Sequence, residues 1–274
     1  MSNSYEPLDV CVLIPCYNNL PGLFRTLQSI CYPPGKLLVL VVDDGSEVPV
    51  TLDILRNSNI NFPSIHVLNL EQNSGITLAL NAGLKWIEDN LCVRYIARLD
   101  CADICHPEKF YKQVTFLNAN PAIGFIGSWC TFQTPNATLQ YGYSTPTAHS
   151  KIIREMHYRN VFIHPTVMFR VELIKTLGYY PTNYPHVEDY AYFWRMVKRT
   201  KTAILDDFLV TCEINVKGIS IKNRKKQLKG RYNVVSEFGS IPHLKLLGMA
   251  KLRAMMLVPY YLILLLKNRK RRAN

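Results

Sequence analysis

The sequence lacks the compositional features of several specialised classes of protein. Its 274 residues include 13 glycines and 16 prolines, an ordinary usage that excludes collagen-like and low-complexity chains. A hydrophobic content of 48% excludes a wholly disordered chain. None of its eight cysteines forms a C-x-x-C pair, and several lie in apolar runs such as Val10-Cys11-Val12. Because such cysteines pack as small hydrophobic residues, we expect free thiols in a reducing compartment.

We also expect no secretory signal, and the sequence contains no long hydrophobic run. Residues 1–9 are polar and carry acids, without the basic and then apolar regions of a secretory signal, so we expect the chain to stay on the cytosolic side of the membrane. An uncharged apolar run of 13 residues, 254–266, is shorter than the roughly 20 residues that span a bilayer. It reaches that length only if residues 244–249 extend it across Lys245 and Lys251.

Acidic residues are nearly absent from the last part of the chain. Residues 217–274 contain a single acid, Glu237, against fifteen lysines and arginines, and the whole chain has a formal net charge of +12. Such a tail indicates an anionic partner. Because basic residues flank the apolar run 254–266, the pattern favours an anchor on an anionic membrane surface over binding to nucleic acid. A solvated tail and a final helix that covers the domain's own core are the alternatives.

Four apolar runs rich in β-branched residues recur about every 27 to 30 residues. They cover residues 10–14, 37–42, 65–70 and 95–99. Stretches with the apolar spacing of helices lie between them, as at Leu23, Leu27 and Ile30. Continuous apolar strands that alternate with helices predict parallel β–α–β units with both sheet faces covered. The sequence therefore predicts an α/β fold with a mostly parallel central sheet flanked by helices.

Each of these predicted strands ends in polar or turn-forming residues. The four clusters are PCYN at 15–18, DDGS at 43–46, EQNSG at 71–75 and DCAD at 100–103. In open α/β sheets, ligands bind beyond the carboxyl ends of the strands. We therefore expect the four clusters to meet at one rim of the sheet and to form a binding site there.

The pattern changes after residue 120. We predict a strand at 123–132, helices at 150–157, 172–177 and 188–199, and strand pieces within 203–216 that break at Asp206-Asp207. The second half is expected to be a mixed layer that holds a different ligand from the first.

Particular side chains in the rim clusters suit particular ligands. The flat face of Tyr17 can stack on a planar base, and Asp44 can accept hydrogen bonds from a base or a ribose. Asp100 and Asp103 offer the oxygen ligands that Mg²⁺ or Mn²⁺ takes when it bridges two phosphates. Taken singly, each residue has a structural explanation as well: a half-buried rim aromatic, an Asp-Gly turn or a helix N-cap.

Seven stretches in chain order carry a stronger signal than any single cluster. They read VCVLIPCYNN, LLVLVVDDGS, LEQNSGITLALNAGL, YIARLDCADICHPEKF, IGFIGSW, FIHPTVMFR and HVEDYAYFWRM, within residues 9–200. Together they resemble glycosyltransferase family 2, the inverting transferases of GT-A fold. The resemblance implies a GT-A nucleotide-diphospho-sugar transferase domain at 1–216, with a nucleotide-binding half at 9–120 and an acceptor-binding half at 121–216. Residues 217–274 follow as a helical basic and apolar extension.

The resemblance assigns donor-binding roles to four residues at matching positions. Tyr17 matches the aromatic residue that stacks on uracil, and Pro15 shapes the end of the strand before it. Asp44 matches the residue that contacts the base. Asp100 stands where the family's D-x-D motif begins, near the ribose and the diphosphate.

The resemblance also assigns residues to the acceptor side. In the pair Glu188-Asp189, Asp189 matches the catalytic base, although two acids at the start of a helix also complement its dipole without taking part in any reaction. His164 matches a position near the acceptor.

One position departs from the family pattern. Related sequences usually read D-A-D-D, whereas this one reads Asp100-Cys101-Ala102-Asp103, so Ala102 replaces the usual metal ligand. Alanine cannot bind a cation. Either Asp100 and Asp103 hold the divalent cation together with waters and phosphate oxygens, or the dependence on metal is weakened.

The resemblance implies an inverting glycosyltransferase that moves a sugar from a nucleotide-diphosphate donor, UDP-linked by analogy, to a hydroxyl of a glycan or lipid-linked acceptor. The implied setting is cell-surface polysaccharide biosynthesis, with the enzyme peripheral on the inner face of the cell membrane and no nucleic-acid partner. The alternative, which Ala102 motivates, is a degenerate protein that keeps the nucleotide-sugar pocket as a scaffold without transfer. The presence of Tyr17, Asp44 and Asp189 favours the enzyme.

Overall fold

The computed structural model describes residues 7–56, 64–214 and 223–257. Its strands are β1 Leu8–Cys16, β2 Leu37–Asp43, β3 Ser64–Asn69, β4 Val93–Arg98, β5 Ile104–Cys105, β6 Ile123–Gln133, β7 Gln140–Tyr143, β8 Met168–Arg170 and β9 Lys201–Glu213. In these ranges, all nine strands belong to one sheet in the order β3-β2-β1-β4-β8-β6-β9-β5, and β7 pairs with β6 beside this path.

Helices cover both faces of the sheet. They are α1 Leu20–Gln28, α2 Leu52–Arg56, α3 Ile76–Asn90, α4 Lys109–Ala119, α5 His149–Met156, α6 Glu172–Leu177, α7 Glu188–Arg199, α8 Arg224–Phe238 and α9 Pro242–Leu257, with a 3-10 turn at His164–Thr166. The prediction of an α/β fold is confirmed.

The first four strands form the parallel part of the sheet. β1 pairs in parallel with β2 and β4, and β2 pairs in parallel with β3. Residues of β1 alternate between two hydrophobic layers: Leu13 packs in the layer that contains α3, and Val12 packs in the layer that contains α1 and α4. Because both faces of β1 are covered, its residues 10–14 are continuously apolar, as predicted.

The second half is a mixed layer, as expected. β8 runs antiparallel to both β4 and β6, and β6 runs parallel to β9. The predicted break at Asp206-Asp207 is wrong, because β9 continues through both residues. The pairing with β6 does shift there: Ser128 lies opposite Leu205, but Trp129 lies opposite Phe208. Asp206 and Asp207 therefore lie at an irregularity in the pairing of β9 with β6, where unpaired residues are tolerated. They do not end the strand.

Helices α8 and α9 form the described part of the C-terminal extension. α9 packs inward through Leu244, Gly248 and Leu252, which are buried at a spacing of four residues. A Cβ atom on Gly248 would overlap with the backbone oxygen of His157, so glycine permits this close approach. In addition, the Ile241 N–H donates to Nε2 of His157 at 3.1 Å.

The apolar run at 254–266 is described only up to residue 257, and the rest of this predicted anchor lies outside the described residues. Among the residues that are described, no helix has both the length and the apolar character needed to cross a bilayer.

Candidate functional site

The carboxyl ends of β1, β2 and β4 bring the predicted donor-binding residues to one rim. Tyr17 follows β1 with 48% of its surface exposed, so its ring is accessible to a ligand. The chain then turns at Asn18, whose φ is +48°, and the Asn18 N–H donates to Oγ of Ser46 at 2.8 Å. Pro15 is the second-last residue of β1, and its carbonyl oxygen accepts from Sγ of Cys101 at 3.3 Å. These contacts tie the ends of β1, β2 and β4 together.

The two acids after β2 organise the neighbouring loops. Asp43 is buried, and its carboxylate accepts from the Val50 N–H at 2.8 Å. Asp44 is also buried, and its two oxygens accept from the N–H groups of Ser74 and Gly75 at 2.8 and 2.9 Å, just before α3. Each Asp44 oxygen keeps a further lone pair. The predicted contact of Asp44 with a base stays a prediction, and the carboxylate has a clear structural use in fixing this loop.

Asp100 follows β4 and faces the rim. Its side chain is 37% exposed, and Oδ1 lies 2.5 Å from a guanidinium nitrogen of Arg98. The backbone at Asp100 and Ala102 is fixed by Thr26 of α1. Oγ1 of Thr26 donates to the Asp100 carbonyl at 3.2 Å and accepts from the Ala102 N–H at 2.9 Å. Asp100 is therefore a carboxylate of fixed position beside the predicted nucleotide pocket.

Asp103 points away from the rim, into the protein. It is only 5% exposed, and Oδ1 accepts from the backbone N–H of Glu213 at 2.8 Å. Burial raises the pKa of Asp103 well above its usual range. Between the two acids, Ala102 has a φ of +83°, a left-handed conformation that an alanine rarely adopts.

These positions do not suit a divalent cation held by Asp100 and Asp103. Mg²⁺ and Mn²⁺ bind carboxylate oxygens that are ionised and whose lone pairs can reach the ion. Asp103 is buried and already bonded to Glu213, and Asp100 is paired with Arg98. No group of three or more histidines, cysteines or acids with metal-binding geometry occurs in the described part of the chain. Asp100 faces the rim and Asp103 points into the protein, so the two predicted metal ligands are not placed to bind one ion.

Glu188 and Asp189 open α7, where the helix N-terminus favours negative charge. Burial raises the pKa of Glu188 to about 7, and the neighbouring Asp189 adds to the rise. Burial also raises the pKa of Asp189, whereas the N–H of Tyr190 opposes the rise by donating to Oδ1 at 2.7 Å. The other oxygen, Oδ2, accepts from Nδ2 of Asn160 at 3.0 Å. A partly exposed carboxylate with a raised pKa and a fixed orientation is a suitable general base.

His164 is the first residue of the 3-10 turn His164–Thr166. Its Nε2 is 2.9 Å from the hydroxyl of Tyr180. Burial lowers the pKa of His164 well below its usual range, and Arg98 contributes to the shift. Tyr180 is itself fixed by Asn81, whose side chain accepts from the Tyr180 N–H and donates to the Tyr180 carbonyl. His164 therefore contributes a neutral ring held in one orientation.

The rim and the acid pair belong to one electrostatic site. The charges of Arg98 and Asp100 affect the pKa values of both Glu188 and Asp189, Arg98 lowering them and Asp100 raising them. Three residues of this site had no predicted role: Arg98, Asn160 and Tyr180. Arg98 lies within a recognised motif, but its burial is not visible in the sequence, and the polar run around Asn160 gives no signal of its contact with Asp189.

A family model described as Glycosyl transferase family 2 matches residues 11–178. The amylovoran biosynthesis glycosyltransferase AmsE of Erwinia amylovora is 28% identical over 191 residues, which cover 68% of this chain and 68% of that protein. A galactosyltransferase of Escherichia coli, described as UDP-Gal:alpha-D-GlcNAc-diphosphoundecaprenol beta-1,3-galactosyltransferase, is 28% identical over 194 residues, covering 70% of this chain and 68% of that protein.

Solved structures share the fold. TarS 1-349 of S. aureus in complex with UDP-GlcNAc superposes with a TM-score of 0.63 at 18% identity, covering 89% of this chain and 71% of that one. The mannosyltransferase PcManGT of Pyrobaculum calidifontis, in complex with GDP-Man and Mn²⁺, gives a TM-score of 0.63 at 19% identity, covering 92% and 70%. The predicted GT-A fold is confirmed.

Proposed function

Because the chain belongs to glycosyltransferase family 2, we propose that it transfers a sugar, with inversion, from a UDP-sugar to a hydroxyl group of a lipid-linked glycan in cell-surface polysaccharide biosynthesis. The E. coli relative is named for transfer from UDP-Gal to GlcNAc-diphosphoundecaprenol, and this supports both substrate classes. The name of AmsE supports the biosynthetic setting.

The donor binds at the rim in this proposal. Tyr17 offers an exposed ring for stacking on the uracil, at the end of the strand that Pro15 shapes. Asp44 lies on the neighbouring strand end and contacts the base through its remaining lone pairs, and Asp100 faces the ribose and diphosphate. The exposed ring of Tyr17, set between two fixed carboxylates, supports this assignment.

The transfer step uses the acid pair of α7. Asp189 accepts the proton of the acceptor hydroxyl while that oxygen forms a bond to the anomeric carbon, and the bond from that carbon to the UDP oxygen breaks. The observation that carries the proposal is the orientation of the Asp189 carboxylate, set by Asn160 and by the start of α7. Glu188 adjoins it with a pKa of about 7. His164 and Tyr180 border the acceptor side.

Donor turnover tests the function directly. Purified protein is incubated with a panel of UDP-sugars, with and without a lipid extract that contains undecaprenyl-diphosphate-linked glycans, and released UDP is measured. We expect one UDP-sugar to give UDP release that depends on the extract. Nucleotide binding without release from any donor would instead support the scaffold alternative.

We further propose that α9 rests on an anionic membrane surface, where such an acceptor is held. The side of α9 opposite its buried face is apolar as well, with Leu246 67% and Leu257 85% exposed and Leu247 beside them. Lys251 and Arg253 lie on the exposed part of the same helix. Exposed leucines next to cations suit the interface between anionic headgroups and acyl chains.

The double substitution Leu246→Ser with Leu247→Ser should weaken binding to vesicles that contain phosphatidylglycerol by about tenfold or more, because it removes two side chains that insert into the interface. Co-sedimentation with vesicles measures this. Tyr111→Ser, which changes an exposed aromatic residue on α4, serves as the control and should bind like the native chain. Equal binding of both variants, or equal binding to uncharged vesicles, would contradict the proposal.

A further inference from the structure

Arg98 is a buried cation with incomplete bonding. It is the last residue of β4 and is 1% exposed. None of its three guanidinium nitrogens makes a hydrogen bond to the described residues. One of them lies 2.5 Å from Oδ1 of Asp100, an ion pair without hydrogen-bond geometry. Since a charge is costly to remove from water, a buried guanidinium with one ionic partner requires an explanation in terms of function.

The charge of Arg98 acts on both parts of the site. It pairs with Asp100 on the donor side, and on the acceptor side it lowers the pKa of Glu188 and Asp189 against the effect of burial. Lys109 is the other buried cation here, with Nζ 3.5 Å from the Arg98 carbonyl oxygen. Burial lowers the pKa of Lys109 to about 8, whereas a guanidinium keeps its charge.

The nucleotide diphosphate adds further negative charge beside Asp100. In a site with two exposed carboxylates, a divalent cation would bridge the protein and the phosphates. Here Ala102 supplies no ligand and Asp103 is bonded to Glu213 inside the protein. A positive charge is nevertheless present at the end of β4, because the buried Arg98 forms an ion pair with Asp100.

We propose that Arg98 is the fixed cation of the donor site: it neutralises and positions Asp100, so that the diphosphate of the donor binds beside Asp100 without a divalent cation. This inference rests on the proposed UDP-sugar donor. Because Arg98 is buried, it acts through Asp100 and through its electrostatic field, as a positioning residue without direct contact to the phosphates.

Calorimetric titration with UDP and with uridine, each in EDTA and in Mn²⁺, tests the proposal. For the native chain we expect the Kd for UDP to differ by less than about threefold between the two buffers. Arg98→Gln, which removes the charge, should weaken UDP binding by about tenfold or more and leave uridine binding unchanged, because uridine carries no phosphate. Arg98→Lys, which keeps the charge, should retain more UDP affinity than Arg98→Gln.

The uridine measurement separates an electrostatic role from a loss of folding. Equal weakening of UDP and uridine binding by Arg98→Gln would show a structural role alone and overturn the proposal. UDP binding by the native chain that requires Mn²⁺ would also overturn it, while leaving the UDP-sugar donor intact. If the native chain bound neither uridine nor UDP in either buffer, the assignment of the donor itself would be wrong.

Discussion

Asp189→Asn is expected to lower the rate of sugar transfer by orders of magnitude and to leave UDP binding nearly unchanged. The amide is the same size as the carboxylate and can still accept from the Tyr190 N–H, but it cannot take the proton of the acceptor hydroxyl. General base assistance is worth about 10²- to 10⁴-fold, so kcat should fall by that factor. UDP release measures kcat, and calorimetry should give a Kd for UDP within about threefold of the native value.

The matched control for this substitution is Asp53→Asn, which changes an exposed acid on α2. It should leave both kcat and UDP binding at native values. If Asp189→Asn weakened UDP binding as much as it lowered turnover, Asp189 would act in donor binding or folding, and its assignment as the base would be wrong.

The base is also expected to give the reaction a characteristic pH dependence. Burial raises the pKa of Asp189, and the carboxylate accepts a proton only in its ionised form. As the pH falls through this raised pKa, kcat/KM should fall with it, and at higher pH the carboxylate is fully ionised.

Tyr17→Ala is expected to weaken UDP binding by roughly 5- to 150-fold. Stacking of a base on an aromatic side chain is worth about 1–3 kcal/mol when measured by alanine substitution. Tyr17 is about half exposed, so the substitution leaves no buried cavity and should preserve the fold. Calorimetric titration with UDP gives the change in Kd.

Two further variants make the Tyr17 result specific. Tyr17→Phe keeps the ring and should bind UDP within about threefold of the native chain. Tyr111→Ala removes an exposed aromatic residue from α4 and should have no effect. Unchanged UDP binding in Tyr17→Ala would contradict the placement of the base on this ring.

The sequence predicted the elements whose stability depends on local pattern. β1, β2 and β4 are largely buried on both faces, and such strands must be almost continuously apolar, so their positions were visible. β3 is only half-buried, and its position followed from the regular spacing of the apolar runs. The start of α7 was visible for a similar reason, since an acid pair followed by apolar residues at helical spacing fits the beginning of a helix. The meeting of the polar clusters at one rim could be predicted from the topology, because parallel strands place their carboxyl ends at one edge of the sheet.

Features that depend on distant contacts could not be predicted. Asp103 looked like a metal ligand, but its orientation is set by the backbone N–H of Glu213, 110 residues away. The contact of Asn160 with Asp189 joins residues 29 positions apart. The continuity of β9 through Asp206-Asp207 depends on pairing with β6. In each case the partner becomes known only when the chain has folded.

The anomeric configuration of the first product tests whether the sugar is transferred in one inverting step. After a single turnover with an α-linked UDP-sugar and the lipid-linked acceptor, proton NMR of the new glycosidic linkage distinguishes the two anomers. Direct attack by a hydroxyl that Asp189 deprotonates predicts a β linkage, opposite to the donor. An α linkage would contradict the account, because retention requires a different arrangement of catalytic groups.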